Sequence, residues 1–208
     1  MQGRKRPMAE EPIFLFDLDS TITRQEILPT IATSVGRGEE MRDLTEKCMS
    51  GGLPFRESFL SRVELLKDVP VAEVSEAIAE IPVHEELCAF MREHKRRCFV
   101  VTGNLDVWID GLIGRVGMTG NVFCSRGIVS DGRLLGVASV IDKRLTVEQF
   151  VGPLVAVGDG SNDADMISMA EVGIGFGGVR RIAPSVLEVC THAIYEESRL
   201  VDFLRRLG

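Results

Sequence analysis

Short apolar runs recur along the chain, and runs of this length predict buried β-strands. They lie at residues 13–18, 98–102, 154–158, 172–176 and 192–195. Apolar residues at helical spacing follow several of these runs, at residues 85–94, 163–171 and 198–207. Strands that alternate with helices are typical of a parallel sheet covered by helices, so the sequence predicts an α/β fold with a Rossmann-like sheet.

Two segments interrupt this alternation. From residue 22 to about residue 82 the sequence shows helical patterns without a clear strand, broken by Gly51-Gly52, Pro54 and Pro70. We therefore predict a small helical subdomain at residues 22–82, inserted after the first strand into a core formed by residues 1–21 and 83–208. In the second segment, residues 121–141, apolar residues flank an Asp-Gly pair, which predicts a β-hairpin.

The charge and the cysteines narrow the class of protein. The 208 residues carry a net charge of −7, which argues against a non-specific binder of nucleic acid or of a membrane surface. No apolar run approaches the roughly 18 residues of a membrane span. The five cysteines never occur as Cys-x-x-Cys, so we expect free thiols in a reducing cytoplasm rather than a zinc site or a disulfide framework.

Two carboxylates follow the first apolar run directly. Asp17 and Asp19 stand where the predicted strand leaves the sheet, and two hydroxyl residues come next. Ligands of an open α/β sheet bind at this carboxyl edge. Two acids at this spacing repel each other unless a cation or a shared proton lies between them. The pattern therefore indicates a divalent metal first and phosphate chemistry second.

Two further strand ends and a lysine carry groups that suit the same chemistry. The run at residues 154–158 leads into a second acidic turn, Gly158-Asp159-Gly160-Ser161-Asn162-Asp163. The run at residues 98–102 ends in Thr102-Gly103, whose hydroxyl and backbone N–H can share one phosphate oxygen. Lys143 is a candidate cation for that phosphate. Taken alone, the Thr-Gly pair and the lysine are more often turn chemistry and a surface charge, so the order of the elements carries the argument.

That order resembles a known family. An Asp-x-Asp-x-Thr strand end, a hydroxyl-bearing strand end, a lysine and a Gly-Asp-Gly-x-Asn-Asp turn resemble the haloacid dehalogenase superfamily, and within it the phosphoserine phosphatase branch. The resemblance implies that residues 22–82 form a helical cap. It implies Asp17 as a nucleophile that forms an aspartyl-phosphate, and Asp19 as general acid and then general base. It also implies Mg²⁺ bound by Asp17, the Asp19 carbonyl and Asp159.

The resemblance also assigns the substrate-binding residues. They are Glu26, Arg62, Thr102, Gly103, Lys143 and Asn162. The residues that match Glu26 and Arg62 in phosphoserine phosphatases face the amino group and the carboxylate of the substrate, and a guanidinium suits a carboxylate. Thr102, Gly103 and Lys143 would hold the phosphoryl oxygens. The chain is thus expected to hydrolyse a small phosphomonoester, with phosphoserine as the leading substrate, as a monomer or homodimer.

Alternatives stay open at this point. Thr102 stands where phosphoserine phosphatases usually have serine, and Asn104 replaces a glycine, so another small phosphomonoester, such as a sugar phosphate or a biosynthetic intermediate, is a second hypothesis. A non-catalytic binding protein on the same fold is a third. A Gly-x-Gly-x-x-Gly pattern at residues 173–178 is a weaker indication of dinucleotide binding, because that fingerprint belongs in the first βα unit.

Overall fold

The computed structural model of the protein describes residues 11–49 and 54–208, so the predicted break at Gly51-Gly52 lies outside the described residues. Seven strands form one sheet in the order β4-β3-β2-β1-β5-β6-β7. The strands are β1 (Ile13–Phe16), β2 (Cys98–Leu105), β3 (Val122–Ser130), β4 (Arg133–Ser139), β5 (Leu154–Gly158), β6 (Val172–Phe176) and β7 (His192–Ile194). Every neighbouring pair is parallel except β3 and β4, as the α/β prediction requires.

All five predicted strands are present, and three of them, β1, β2 and β7, end at residues other than those predicted. β5 and β6 span the predicted residues. β1 ends at Phe16, which leaves both motif aspartates in the loop that follows. β2 continues to Leu105, three residues beyond its predicted end, and its pairing with β3 shifts register between Thr102 and Leu105. Such an irregularity lets a strand carry a polar segment to the rim of a sheet.

Ten α-helices lie within the described residues. They are α1 (Ile27–Ser34), α2 (Gly38–Met49), α3 (Phe55–Leu66), α4 (Val71–Ala79), α5 (Glu85–Glu93), α6 (Asp106–Val116), α7 (Lys143–Val147), α8 (Ala164–Ser168), α9 (Pro184–Leu187) and α10 (Glu197–Leu207). The helices predicted at residues 85–94, 163–171 and 198–207 correspond to α5, α8 and α10. α6 and α9 were not predicted.

Helices α1 to α4 occupy the segment between β1 and α5. In its described part this segment forms no strand, only an isolated bridge that pairs Thr23 with Val83. α4 packs against α6, which follows β2 in the sheet layer. The helical character predicted for residues 22–82 is therefore confirmed for the described part of that range. The division of the chain into a core and a separate cap stays a prediction.

The predicted hairpin is formed by β3 and β4. The two strands are antiparallel and joined by Asp131 and Gly132, whose φ angles are 51° and 72°. Two consecutive residues at positive φ are the mark of a type I′ turn, in which the twist of the turn matches that of the strands. The Asp-Gly pair in the sequence is thus explained by turn geometry.

The sheet is buried on both faces. Phe14 and Phe16 of β1 belong to one apolar cluster, and Leu15 belongs to a second cluster on the other face. β5 repeats this division, with Val155 and Val157 in the first cluster and the alanine between them in the second. Burial on both faces explains why these strands are continuous apolar runs rather than alternating ones. Within the described residues, no helix has the length and apolar character needed to cross a membrane.

Candidate active site

The candidate site lies where the central strands end. β1 lies between β2 and β5. After β1 the chain adds β2, β3 and β4 on one side of it, and then adds β5, β6 and β7 on its other side. Such a reversal opens a crevice at the carboxyl edge of the strands. Asp17 follows β1, Thr102 lies near the end of β2, and Asp159 follows β5. The Asp17 N–H donates to the Val157 carbonyl at 2.9 Å, which fixes Asp17 beside β5.

Lys143 lies between two carboxylates at this edge. Its Nζ is 2.5 Å from Asp17 Oδ1 and 2.5 Å from Asp163 Oδ1, and all three residues are buried. α7 begins at Lys143, and the Asp142 carboxylate caps this helix by accepting from the Leu145 N–H at 3.1 Å. Burial alone would lower the pKa of Lys143, but Asp163 and Asp17 raise it above its ordinary value. Lys143 is therefore a charged partner of Asp17 at neutral pH.

Asp163 organises the turn after β5. Its Oδ2 accepts from the backbone N–H of Asp159 at 3.0 Å and from that of Gly160 at 2.8 Å. A Cβ at Gly158 would lie 2.6 Å from Asp163 Cγ, so a glycine is needed for this close approach. Asp163 thus holds both Lys143 and the backbone that carries Asp159.

Asp159 is fully buried and uses both carboxylate oxygens. The Thr21 hydroxyl donates to Oδ1 at 3.3 Å, and Arg180 Nε donates to Oδ2. Burial raises the pKa of Asp159 to about 7, and Arg180 opposes this rise. Asp17, Asp159 and Asp163 each present one oxygen within 4.8 Å of the others. These carboxylates are the hard oxygen donors that a divalent cation prefers.

Asp19 faces the start of α1. Its Oδ1 accepts from the Ile27 N–H at 3.0 Å and so satisfies a free donor of the first helical turn. Ser20, the next residue, has a φ of 62°, a left-handed conformation that turns the chain away from the strand. Burial is the main cause that raises the pKa of Asp19, and it also raises that of Asp17. A raised pKa suits a group that must carry a proton near neutral pH.

The Thr102 hydroxyl is held by Asn104, the residue that stands where phosphoserine phosphatases have a glycine. Thr102 Oγ1 accepts from the backbone N–H of Asn104 at 3.2 Å and from Asn104 Nδ2 at 3.1 Å. The Gly103 carbonyl accepts from the Ser125 hydroxyl at 2.7 Å, and that hydroxyl accepts from the Ile141 N–H at 3.1 Å. β3 and the segment before α7 therefore fix the backbone of Thr102 and Gly103.

A cleft opens above Asp17 between the sheet edge and the helices that follow β1. Its polar lining residues are Asp17, Asp19, Glu26, Thr45, Arg62, Thr102, Asn104, Ser161, Asn162 and Arg180. Phe55 and Phe59 of α3 line it too, with stacked rings 5.9 Å apart. Arg62 is buried on α3, and its Nε donates to the Ser58 carbonyl at 3.3 Å, so it is not a solvated surface charge.

Comparison with known proteins identifies the family. The sequence model of the haloacid dehalogenase-like hydrolases matches residues 14–168. The chain belongs to this family. It is 33% identical over 182 residues to the phosphoserine phosphatase of Methanocaldococcus jannaschii, an alignment that covers 80% of this chain and 86% of the relative.

Solved structures place the chain in the phosphoserine phosphatase-like branch of the family. A phospho-aspartyl intermediate analogue of phosphoserine phosphatase superposes with a TM-score of 0.78 at 28% identity, and covers 96% of this chain and 100% of that one. A substrate-bound phosphoserine phosphatase superposes with the same TM-score and identity, over 96% of this chain and 99% of that one. The protein is a phosphatase of this haloacid dehalogenase-like branch, and the predicted fold class is confirmed.

The structure gathers most of the predicted site residues of this phosphatase in one place. The cleft is lined by Asp17, Asp19, Glu26, Arg62, Thr102, Gly103 and Asn162. Lys143 and Asp159 are outside this lining: Lys143 contacts Asp17 and Asp163, and the Asp159 N–H donates to Asp163. Lys143 instead lines an adjacent cleft together with Phe55 and Asn162. The roles of all these predicted site residues in the family's reaction stay predictions.

Arg180 is the residue that sequence reasoning missed. It follows β6, and its Nη1 donates to Glu26 Oε1 at 2.6 Å while its Nε donates to Asp159. A sequence signal exists, since parallel strands end at one edge of a sheet and Arg180 comes shortly after the predicted strand at residues 172–176.

Packing explains glycines of the Gly-x-Gly-x-x-Gly pattern. A Cβ at Gly173 would lie 2.6 Å from the Ile167 carbonyl oxygen, and one at Gly175 would lie 3.0 Å from Ile182 Cγ2. Both residues lie inside β6, which is the sixth strand of this hydrolase fold and not its first. The pattern therefore serves the contact of β6 with its neighbouring segments.

Proposed function

We propose that the protein hydrolyses O-phosphoserine with the help of Mg²⁺, through an aspartyl-phosphate on Asp17. The observation that carries this proposal is the position of Asp17, at the floor of the cleft and 2.5 Å from Lys143 Nζ. The relatives and the superposable structures named above support the choice of substrate. Asp19, two residues further on, lines the same cleft.

The charges of the site fit a divalent cation. Four carboxylates, those of Asp17, Asp19, Asp159 and Asp163, interact with one another and with two cations, Lys143 and Arg180. Even with Asp19 protonated, these groups carry an excess of negative charge, which favours a divalent cation. We propose Asp17, Asp159 and the Asp19 carbonyl as its protein ligands. When bound, Mg²⁺ supplies positive charge for the phosphoryl oxygens.

The chemistry uses the two motif aspartates in turn. A carboxylate oxygen of Asp17 attacks phosphorus, and the bond from phosphorus to the serine oxygen breaks as the new bond forms. Asp19 gives its proton to the leaving serine oxygen, which departs as a hydroxyl. Asp19 then takes a proton from a water molecule as that water attacks phosphorus, which releases phosphate and restores the Asp17 carboxylate. Lys143 balances the charge of Asp17 throughout.

The remaining residues bind the two ends of the substrate. The Thr102 hydroxyl, the Gly103 N–H and Lys143 hold the phosphoryl oxygens, and Asn162 contacts the substrate. Arg62 pairs with the substrate carboxylate, because a guanidinium presents two parallel donors to it. Glu26 faces the substrate ammonium. The helices of residues 22–82 serve as the cap that covers this small molecule.

A second candidate is another small phosphomonoester, such as a sugar phosphate or a biosynthetic intermediate. The Asn104 side chain, which holds the Thr102 hydroxyl, favours this possibility because it changes the polar wall beside the phosphate. A non-catalytic binding protein is disfavoured, since Asp17, Asp19 and Asp159 are all present and all buried or half-buried at one edge of the sheet.

The test is phosphate release in the presence of Mg²⁺ from phosphoserine, phosphothreonine, sugar phosphates, nucleotides and an aryl phosphate. We expect phosphoserine to be preferred, and Arg62→Ala to lose this preference by about tenfold or more in kcat/KM, as for other charge-assisted contacts. Arg42→Ala, an exposed arginine on α2, is the matched control and should behave as wild type.

Two outcomes would contradict the proposal at different levels. Turnover of other esters with phosphoserine ignored would keep Asp17 and Asp19 as the reacting groups but reject the assignments of Glu26 and Arg62. Hydrolysis that persists in Asp17→Asn would reject the aspartyl-phosphate, because an amide at this position is a far weaker nucleophile.

A further inference from the structure

Arg180 joins two carboxylates that belong to different parts of the proposed site. Its Nη1 is 2.6 Å from Glu26 Oε1 at the start of α1, and its Nε contacts Asp159 Oδ2 after β5. The side chain lines the cleft and is 24% exposed, so it can move without unfolding the core around it. Glu26 is 154 residues away along the chain. This makes Arg180 a bridge across the mouth of the site.

The bridge engages a carboxylate that the proposed function needs as a metal ligand. Asp159 has two carboxylate oxygens, and Thr21 already donates to Oδ1 at 3.3 Å. The guanidinium takes Oδ2. A metal ion bound by Asp159 would place a second positive charge beside the guanidinium, and like charges at contact distance repel strongly in a buried site. The arginine and the metal therefore compete for the same carboxylate.

We propose that Arg180 is a built-in cation that neutralises Asp159 in the metal-free protein and is displaced from it when the metal binds. This inference rests on the proposed role of Asp159 as a metal ligand. Arg180 is then a positioning residue. In the metal-free protein its positive charge balances the negative charge of the buried Asp159 carboxylate. It also lowers the affinity of the site for the metal. Glu26 holds the guanidinium nearby, so the exchange is reversible.

The test measures metal binding rather than turnover. We would titrate wild type, Arg180→Gln and Arg181→Gln with Mg²⁺ by calorimetry, and with Mn²⁺ by the loss of the free-ion paramagnetic resonance signal. Arg181 is the exposed neighbour and serves as the matched control. Arg180→Gln should bind either metal about tenfold more tightly, a typical coupling between two ligands of one site. Arg181→Gln should match wild type.

Two further measurements separate competition from a merely structural contact. Arg180→Gln should melt at a lower temperature than wild type in EDTA and gain more on addition of Mg²⁺, because the metal replaces a missing charge. Arg180→Lys keeps the positive charge but cannot contact Asp159 and Glu26 through two separate nitrogens. Its metal affinity should lie between those of wild type and Arg180→Gln. An affinity in Arg180→Gln that is unchanged or weaker would overturn the inference.

Failure of the proposed function would look different. If neither Mg²⁺ nor Mn²⁺ binds to wild type or to any variant, then Asp159 is not a metal ligand and the proposed site falls with the inference. If wild type binds the metal and Arg180→Gln binds it no more tightly, the metal site stands and only the competition is rejected.

Discussion

At the scale of single residues, the carboxyl groups of the site share one cause for their pKa values. Burial is the largest cause of the shift for Asp17, Asp19 and Asp159, and it raises the pKa of all three. An unfolded chain ionises these groups near pH 3.8, whereas folded Asp159 ionises at about 7. Between these values the folded protein binds more protons than the unfolded chain. Its stability must therefore fall as pH rises through this window.

This gives a prediction for the metal-free protein. In EDTA, the melting temperature should fall by roughly 5 °C or more between pH 5 and pH 7.5, since a change of 1 kcal/mol shifts it by about 2–4 °C in a chain of this size. Saturating Mg²⁺ should reduce the fall, because the ion favours the ionised carboxylates. Calorimetric melts at fixed ionic strength would check both. Groups whose pKa is lowered by folding, such as Glu197, change the stability only at lower pH. They therefore do not hide the fall between pH 5 and pH 7.5.

The control for this pH effect is Asp159→Asn. It removes one of the three titrating groups but keeps a side chain of the same shape, so the fall in melting temperature should become shallower. A melting temperature that stays constant from pH 5 to pH 7.5 in wild type, or that falls as steeply in the variant, would contradict the assignment.

The sequence predicts single residues well where a strand presents them. Asp17 and Asp159 could be predicted because each directly follows an apolar run, and parallel strands end at one edge. Arg180 could not be assigned a partner, since its contacts to Asp159 and Glu26 span 21 and 154 residues of chain. Such a contact depends on the path of a loop, and no local pattern encodes it.

At the scale of elements, α5 obtains its N-terminal cap from another helix. His84 stands at its N-cap position but makes no capping hydrogen bond with its side chain. Glu197, at the start of α10, accepts from the Glu86 N–H at 2.8 Å and the Leu87 N–H at 3.2 Å. The other Glu197 oxygen is 3.0 Å from His84 Nδ1. One carboxylate thus joins the starts of two helices.

We expect Glu197→Ala to lower the free energy of unfolding by about 1–3 kcal/mol, because it leaves two helix N–H donors and the buried His84 without this acceptor. Urea denaturation of the variant against wild type measures the loss. Glu196→Ala changes the exposed neighbour, which makes no capping hydrogen bond, and should stay within about 0.5 kcal/mol of wild type. Equal losses in the two variants would show that Glu197 does not cap α5.

This cap marks the limit of prediction at the element scale. The sequence predicts α5 and α10 from their apolar spacing, which is a local property. It does not predict that the two helix starts meet, because that contact joins residues 113 apart. α6 is not predicted for a different reason: it begins directly after β2, and no residue between the two elements marks its start.

At the scale of the whole molecule, the site depends on contact between the helices after β1 and the edge of the sheet. Phe55 at the start of α3 packs on Gly103 of β2, and a Cβ at Gly103 would lie 2.5 Å from Phe55 Cζ. The sequence predicts both segments separately, a helical insertion and a phosphate-binding strand end. Their close approach requires a residue without a side chain on one side and an aromatic ring on the other, and neither pattern alone indicates this pairing.

Gly103→Ala tests whether this contact closes the cleft. The added methyl would push the half-buried Phe55 ring outward, so we expect a loss of about 1 kcal/mol in stability, the low end for an overpacked site, and a rise in KM of several-fold. Urea denaturation measures the first effect and phosphate release the second. In the Phe55→Ala background the ring is absent, so adding Gly103→Ala should cost less than about 0.5 kcal/mol. If the two losses in stability simply add, the ring and the glycine act independently, and the closure of the cleft must rest on other contacts between the helices and the sheet.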